Sequence, residues 1–197
     1  METDRILTEK KILRKRMREL RSEIPARERQ ILSARMTAEL SRQYFFQEAN
    51  VIMAYASMVE EVQVYDLMKF ALDIGKRVCI PYIKGKGVMD AVELFGMDDL
   101  VEDDYSILTV CEERRQVVNP DSIGCIVVPG TAFSPSGARV GMGGGHYDRF
   151  LGETAPHAYR VALAFDCQIV DDIPTEDFDV RMDAIITEKR TIRCGKR

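Results

Sequence analysis

Apolar positions first recur at helical spacing. Leu13, Met17, Leu20 and Ile24 lie three or four residues apart, which sets them on one face of a helix. With Thr8 as a cap and Pro25 as a break, the spacing predicts a helix over 8–22. Pro25 opens a second helix over 25–46 that turns Leu32, Met36 and Leu40 inward and ends before Asn50. The pattern then changes. VIMAYA (51–56) is a short unbroken apolar run between Asn50 and the pair Glu60 and Glu61, as a strand buried on both faces requires. YDLMKFALDIG (65–75) returns to a helix closed by Gly75, and RVCIPYI (77–83) and VMDAVEL (88–94) read as a hairpin turning at Gly85 and Gly87. IGCIVVPG (123–130), YRVALAF (159–165), DAIIT (183–187) and RTIRC (190–194) read as further strands, with a short helix over 146–154. Residues 95–118 carry no strong period, and a connection of that length is expected to hide a short helix.

Strands alternating with helices predict an α/β protein, a three-layer α/β/α sandwich with a largely parallel central sheet, as a single domain over 1–197. Ligands of such sheets sit beyond the carboxyl ends of the strands. Composition narrows the chemistry. With 28 basic against 32 acidic residues and a net charge of −4, the chain has no global basic field for nucleic acid. Cys79, Cys111, Cys125, Cys167 and Cys194 are odd in number and form no C-x-x-C pair, so neither a disulfide framework nor a zinc site is signalled. His146 and His157 are the only histidines, too few for a histidine cage. A divalent cation would rest on carboxylates and ligand oxygens, which favours magnesium with a phosphate. The charged first 21 residues hold no apolar signal core, and no apolar run is long enough to span a bilayer. A cytoplasmic protein is expected, its oligomeric state open with a monomer favoured.

Candidate chemistry concentrates in GARVGMGGGHYDRFL (137–151), with five glycines in its first nine positions. Glycine costs backbone entropy, so such a cluster is offset by what a missing Cβ permits: positive φ or close approach to a ligand. A phosphate uses both, and the order strand, loop (130–145), helix adds a helix N-terminus. The spacing matches neither the dinucleotide fingerprint nor the P-loop. A flexible surface connector would also be glycine-rich. Arg139 offers a planar fork for phosphate oxygens. Asp148 suits hydrated magnesium, or simply the first turn of a helix. The helix near the N-terminus carries seven basic residues between 10 and 21 and by itself reads as a solvated face or a nucleic-acid patch.

Together these residues resemble the 5-formyltetrahydrofolate cyclo-ligase family. VVPGTAFSPSGARVGMGGGHYDRFL (127–151) is similar to its signature Pro-Gly-x-x-Phe-Asp-x-x-Gly-x-Arg-x-Gly-x-Gly-x-Gly-Tyr-Tyr-Asp. KKILRKRMRELR (10–21) resembles its N-terminal basic helix, AYASMVEEVQV (54–64) its strand with a substrate glutamate, and IPTEDFDVRMDAIITE (173–188) its closing segment. The resemblance implies a three-layer sandwich and ATP-dependent closure of 5-formyltetrahydrofolate to 5,10-methenyltetrahydrofolate, with magnesium as cofactor and ADP and phosphate released. Such chemistry rests on positioning and charge neutralisation, which accounts for the lack of a nucleophile triad.

By the same resemblance, ATP is bound by Lys10, Lys11, Ile12, Leu13 and Arg14 and by Arg139, Val140, Gly141, Met142, Gly143, Gly144, Gly145, His146 and Tyr147. Lys10, Arg139 and Asp148 are implied as catalytic, Asp148 and Asp183 as magnesium ligands, and Ala56 and Glu61 as the folate contacts. Without it, Asp183 reads as a strand-edge charge and Glu61 as a helix N-terminal acid. No nucleic-acid or membrane partner is expected. The sequence departs from the family pattern at His146 (Tyr), Ser134 (Asp), Phe178 (His), Val64 (Thr) and Glu113 (Pro), which bears on the folate end and on substrate range. Two other readings stay open: an ATP-dependent enzyme on another N-formyl or amide substrate, and a non-catalytic relative that binds nucleotide or RNA through the basic helix. His157 is expected at the surface.

Overall fold

The structure, a computed structural model, describes residues 2–102 and 108–195. In chain order its elements are α1 (Glu2–Ser22), α2 (Ala26–Ser41), α3 (Tyr44–Glu48), β1 (Val51–Met53), α4 (Tyr65–Asp73), β2 (Arg77–Gly85), β3 (Val88–Leu94), β4 (Leu100–Glu102) and β5 (Leu108–Val110). They continue with β6 (Cys125–Val127), β7 (Ala132–Phe133), β8 (Arg139–Val140), α5 (His146–Arg149), β9 (Tyr159–Leu163), β10 (Ala184–Ile186) and β11 (Thr191–Arg193).

Seven strands form one sheet in the order β11-β10-β9-β6-β1-β2-β3. Its five inner strands pair in parallel, while β3 and β11 close the two edges antiparallel. From β1 the chain winds outward through β2 and β3; from β6 it winds the other way through β9 and β10. The direction therefore reverses between β1 and β6, and in an open α/β sheet the crevice at that reversal is where ligands sit.

Alternation along the strands builds the layers. Ile52, Val78, Cys125 and Val127 face one side and pack with Met36 and Leu40 of α2, Phe45 and Phe46 of α3, and Leu67 and Met68 of α4. Val51, Met53, Cys79 and Ile126 face the other side and meet Phe133, Phe150 and Leu151. A buried Leu, Met or Phe of this kind contributes about 1.5–3 kcal/mol by leaving water. The expected sandwich with its mostly parallel sheet is the observed one. A third cluster decides where α1 lies: Met17, with Leu13 and Leu20, packs on Ala132, Ala138 and Val140 of the small β7–β8 ribbon.

Several boundaries differ from the sequence reading. The helix predicted over 8–22 starts at Glu2, and Thr8 is no cap, because its hydroxyl donates to Asp4 O at 2.8 Å within the helix. The helix predicted over 25–46 breaks where Gln43 is extended (φ −73°, ψ 139°). The break turns both Phe45 and Phe46 inward, and Phe45 stacks on Tyr159 at 3.9 Å. Strand β1 ends at Met53, three residues before the predicted end. The helix predicted over 146–154 is one α turn followed by a π turn over Phe150–Thr154. The loop predicted over 130–145 contains the β7–β8 ribbon. In 95–118, instead of a single hidden helix, two 3₁₀ turns (Met97–Asp99 and Glu112–Arg114) flank the β4–β5 pair; residues 103–107 of that stretch lie outside the described residues.

Candidate active site

At the reversal point lies a cavity of about 340 Å³. The chain leaving β1 lines it with Tyr55, Ala56, Met58 and Glu61, and the chain leaving β6 with Pro129 and Gly130. One wall is the glycine loop from Arg139 to Asp148, and a second is Leu7, Lys10 and Arg14 of α1. The segment carrying Glu176, Phe178 and Asp179 completes the lining.

Helix geometry explains which residues of α1 take part. Leu7, Lys10 and Arg14 are spaced three and four apart and share one face. Of the other α1 residues expected to bind ATP, Lys11 and Ile12 face solvent outside the cavity lining, and Leu13 packs into the third cluster. Arg14 Nε donates to Gly141 O at 2.7 Å and ties the helix to the glycine loop.

Two glycines in the loop are required by backbone conformation, Gly143 at φ +107° and Gly145 at φ +68°, where a Cβ would be strained. Gly141 leaves room for a side chain, since a Cβ there would stand 2.7 Å from Arg139 Nη1. The loop is pinned at its far end by His146, whose Nε2 lies 3.0 Å from Gly85 O in the β2–β3 turn. The helix that follows is a single turn, so its dipole adds little, contrary to the sequence expectation.

The cations already have partners. Lys10, 4% exposed, holds Glu176 at 2.9 Å and Asp179 at 2.6 Å. Arg139 holds Asp148 Oδ1 at 2.8 Å and Pro129 O at 3.1 Å, while its buried Nε has no hydrogen-bond partner. Asp148 Oδ1 also accepts from the Val180 amide at 3.3 Å. The opposite end is different. Glu61, 6% exposed, accepts from the Met58 amide at 2.9 Å, and burial raises its carboxyl above the ordinary carboxylate range despite that bond and the Arg21 charge. The buried Tyr147 hydroxyl has no hydrogen-bond partner; burial, followed by the charge of Glu61, pushes it well above an ordinary phenol. Tyr55 donates to Val62 O at 3.0 Å and holds the loop that carries Glu61.

Asp183 does not join Asp148. It precedes β10 at the amino end of the parallel strands, opposite the cavity, where its Oδ2 accepts from the Arg160 amide at 2.8 Å. Among the described residues no three acidic, histidine or cysteine side chains converge on a metal position. Of the five departures, only His146 and Phe178 line the cavity. Val64 is core and Ser134 is buried against Ser136, with their hydroxyls 2.8 Å apart. Glu113 is exposed on a 3₁₀ turn, and His157 is exposed as expected. The sequence reading missed Leu7, Tyr55, Pro81 and Ile83. Leu7 was within reach, because it falls three residues before Lys10 on the same helical face.

The fold and cavity thus define an α/β protein whose ligand site lies at the direction reversal of a parallel sheet, walled by a glycine loop and a basic helix. The chain belongs to the 5-formyltetrahydrofolate cyclo-ligase family, whose model matches residues 6–188, and it is an enzyme of that family. It is 31% identical over 191 residues to a Caenorhabditis elegans protein named "Probable 5-formyltetrahydrofolate cyclo-ligase", covering 91% of this chain and 93% of the relative. It is 29% identical over 186 residues to the Mus musculus 5-formyltetrahydrofolate cyclo-ligase, covering 89% and 90%. The solved 5,10-methenyltetrahydrofolate synthetase of Aquifex aeolicus superposes with a TM-score of 0.83 at 26% identity over 95% of this chain and 94% of that one. The corresponding Mycoplasma pneumoniae protein has the same fold, with a TM-score of 0.74 at 20% identity over 91% and 98%.

Proposed function

We propose that the protein closes 5-formyltetrahydrofolate to 5,10-methenyltetrahydrofolate at the expense of ATP, in the cytoplasm. One observation carries the reading: a single cavity holds on the glycine-loop side Lys10, Arg14 and Arg139 and on the β1 side the buried Glu61 carboxylate, with Tyr147, whose buried hydroxyl has no partner, near both Arg139 and Glu61. The first end suits a polyphosphate and the second the N–H donors and acceptors of a pterin ring.

The formamide oxygen of the substrate is a poor leaving group. Transfer of the γ-phosphoryl group to it releases ADP and yields an iminium phosphate; N10 then attacks the formyl carbon and gives up its proton, the C–O bond breaks, and phosphate departs, able to carry that proton, as the methenyl bridge forms. The side chains position and neutralise. Arg139 and Lys10 exchange their carboxylate partners for phosphate oxygens, Arg14 holds the glycine loop against the nucleotide, and Glu61 orients the pterin by accepting its N–H groups. The donor set fits magnesium as an ion carried largely by phosphates and water, with Asp148 as the protein ligand; Asp183 is not among the residues lining the cavity. Bound there, magnesium would neutralise charge on the β- and γ-phosphates.

The test is turnover of 5-formyltetrahydrofolate with ATP, followed by methenyltetrahydrofolate absorbance, with and without magnesium. The proposal predicts product only when all three are present. Release of ADP with other N-formyl substrates but not with this one would refute it.

A further inference from the structure

We propose that Phe178, in the cavity that Leu7 also lines, is the seat of the nucleobase, so that the adenine ring of ATP stacks on the exposed Phe178 ring. The inference rests on the function proposed above and adds a subsite to it. Phe178 is 64% exposed and Leu7 51% exposed, yet both line the cavity wall. Large apolar side chains left in water beside a charged bowl mark a place for an apolar ligand surface. One contact of the ring is already taken: Lys10 Nζ lies 5.8 Å from its centroid, a cation over an aromatic face.

That cation belongs to the phosphate end. Leu7 is one turn before Lys10 on the same face of α1, and Phe178 lies between Glu176 and Asp179, the two carboxylates that hold Lys10. An apolar platform adjoining the polyphosphate site matches a molecule whose planar base is tethered to its phosphates. It does not match the pterin, whose hydrogen-bonding edge finds its partners at Glu61 and Tyr147. Stacking on an aromatic side chain is worth about 1–3 kcal/mol per base, enough to matter for affinity without any hydrogen bond to the base.

The test uses the full chain, which contains no tryptophan. A Phe178→Trp variant therefore carries a single indole at the proposed contact. Its fluorescence should be quenched by ATP and ADP, and not by inorganic tripolyphosphate or 5-formyltetrahydrofolate. In calorimetry, Phe178→Ala should weaken ATP binding by about tenfold, the scale of one lost stack, and leave tripolyphosphate binding unchanged. Because the side chain is exposed, neither substitution threatens the fold. Quenching by the folate in place of the nucleotide, or an equal loss for ATP and tripolyphosphate, overturns the subsite. A protein that shows the predicted quenching and base-dependent loss but never forms product upholds the subsite and overturns the proposed reaction instead.

Discussion

The two ends of the cavity handle polar groups in opposite ways. At the glycine loop most of the cationic capacity is taken up: Lys10 by Glu176 and Asp179, Arg139 by Asp148 and Pro129 O but not at its buried Nε, and Arg14 by the Gly141 carbonyl. Near β1, a carboxylate is buried with one amide partner and a phenol is buried with none. The first end is largely satisfied, Arg139 Nε apart, and must exchange partners to receive an anion. The second holds unspent hydrogen-bonding capacity, which costs stability until a ligand supplies it. The contrast separates a site that recognises charge by substitution from one that recognises shape and hydrogen bonds by completion.

The largest expected effect lies at the charged end. Arg139→Lys keeps the charge but loses the fork that reaches both Asp148 and Pro129 O. Turnover should fall by about 10²–10³-fold, the scale of losing one preorganised donor at developing charge, with circular dichroism unchanged. Near-normal turnover in this variant would mean that the ion pairs are purely structural and that the contrast fails.

Glu61→Gln comes next. A site built to accept N–H groups and then given a donor in place of one oxygen should raise the folate KM by about tenfold or more, with ATP binding unaffected. Because burial raises the Glu61 carboxyl, the wild-type folate KM should climb as pH falls through that raised value, and the variant should lose this limb. Stability moves the other way. Between the unfolded and folded titrations of Glu61 the folded chain binds more protons, so stability declines as pH rises through that window and stays lower at neutral pH. Thermal melts should therefore place Glu61→Gln above wild type at pH 7, by about 1 kcal/mol, with the difference vanishing at pH values below the ordinary carboxylate range.

How much of this was legible beforehand follows from range. Periodicity is local, so the sheet strands and the face of α1 were readable from Leu13, Met17 and Leu20, and the glycine loop announced itself by composition. The partners of Lys10 were not, because Glu176 and Asp179 lie 166 and 169 residues away in sequence. Asp148 and Asp183 illustrate the same limit: both acids looked available, and only topology shows that one lies at the carboxyl ends of the strands and the other at the amino ends. The split of α2 from α3 also escaped, since Gln43 carries no local stop signal and the break is set by where Phe45 and Phe46 must pack.

Tyr147→Phe sharpens the uncharged end with a smaller effect. Removing a buried hydroxyl that has no partner should leave the fold unchanged or up to about 1 kcal/mol more stable, while the folate KM rises several-fold, about the value of one neutral hydrogen bond. A drop in melting temperature would show that the hydroxyl has a structural partner, and the completion argument for this end would lose its clearest case.

The smallest effect provides the control. Arg77 and Glu93 form a two-bonded ion pair across β2 and β3, at 2.7 and 2.6 Å, remote from the cavity, with Arg77 about half exposed. The Arg77 hydrogen bond holds the Glu93 carboxyl below the ordinary range, so the pair stabilises the fold at pH values above the unfolded titration and the benefit is lost as pH falls through the depressed folded value. Solvent screening limits its worth to under about 1 kcal/mol. A double-mutant cycle of Arg77→Ala and Glu93→Ala should give a coupling of that size, weakened by added salt, with turnover unchanged. The same cycle on Lys10 and Asp179, both largely buried, should give a larger coupling that salt barely moves. If the two couplings prove equal, the pairs at the glycine loop are ordinary surface contacts and need no ligand to explain them.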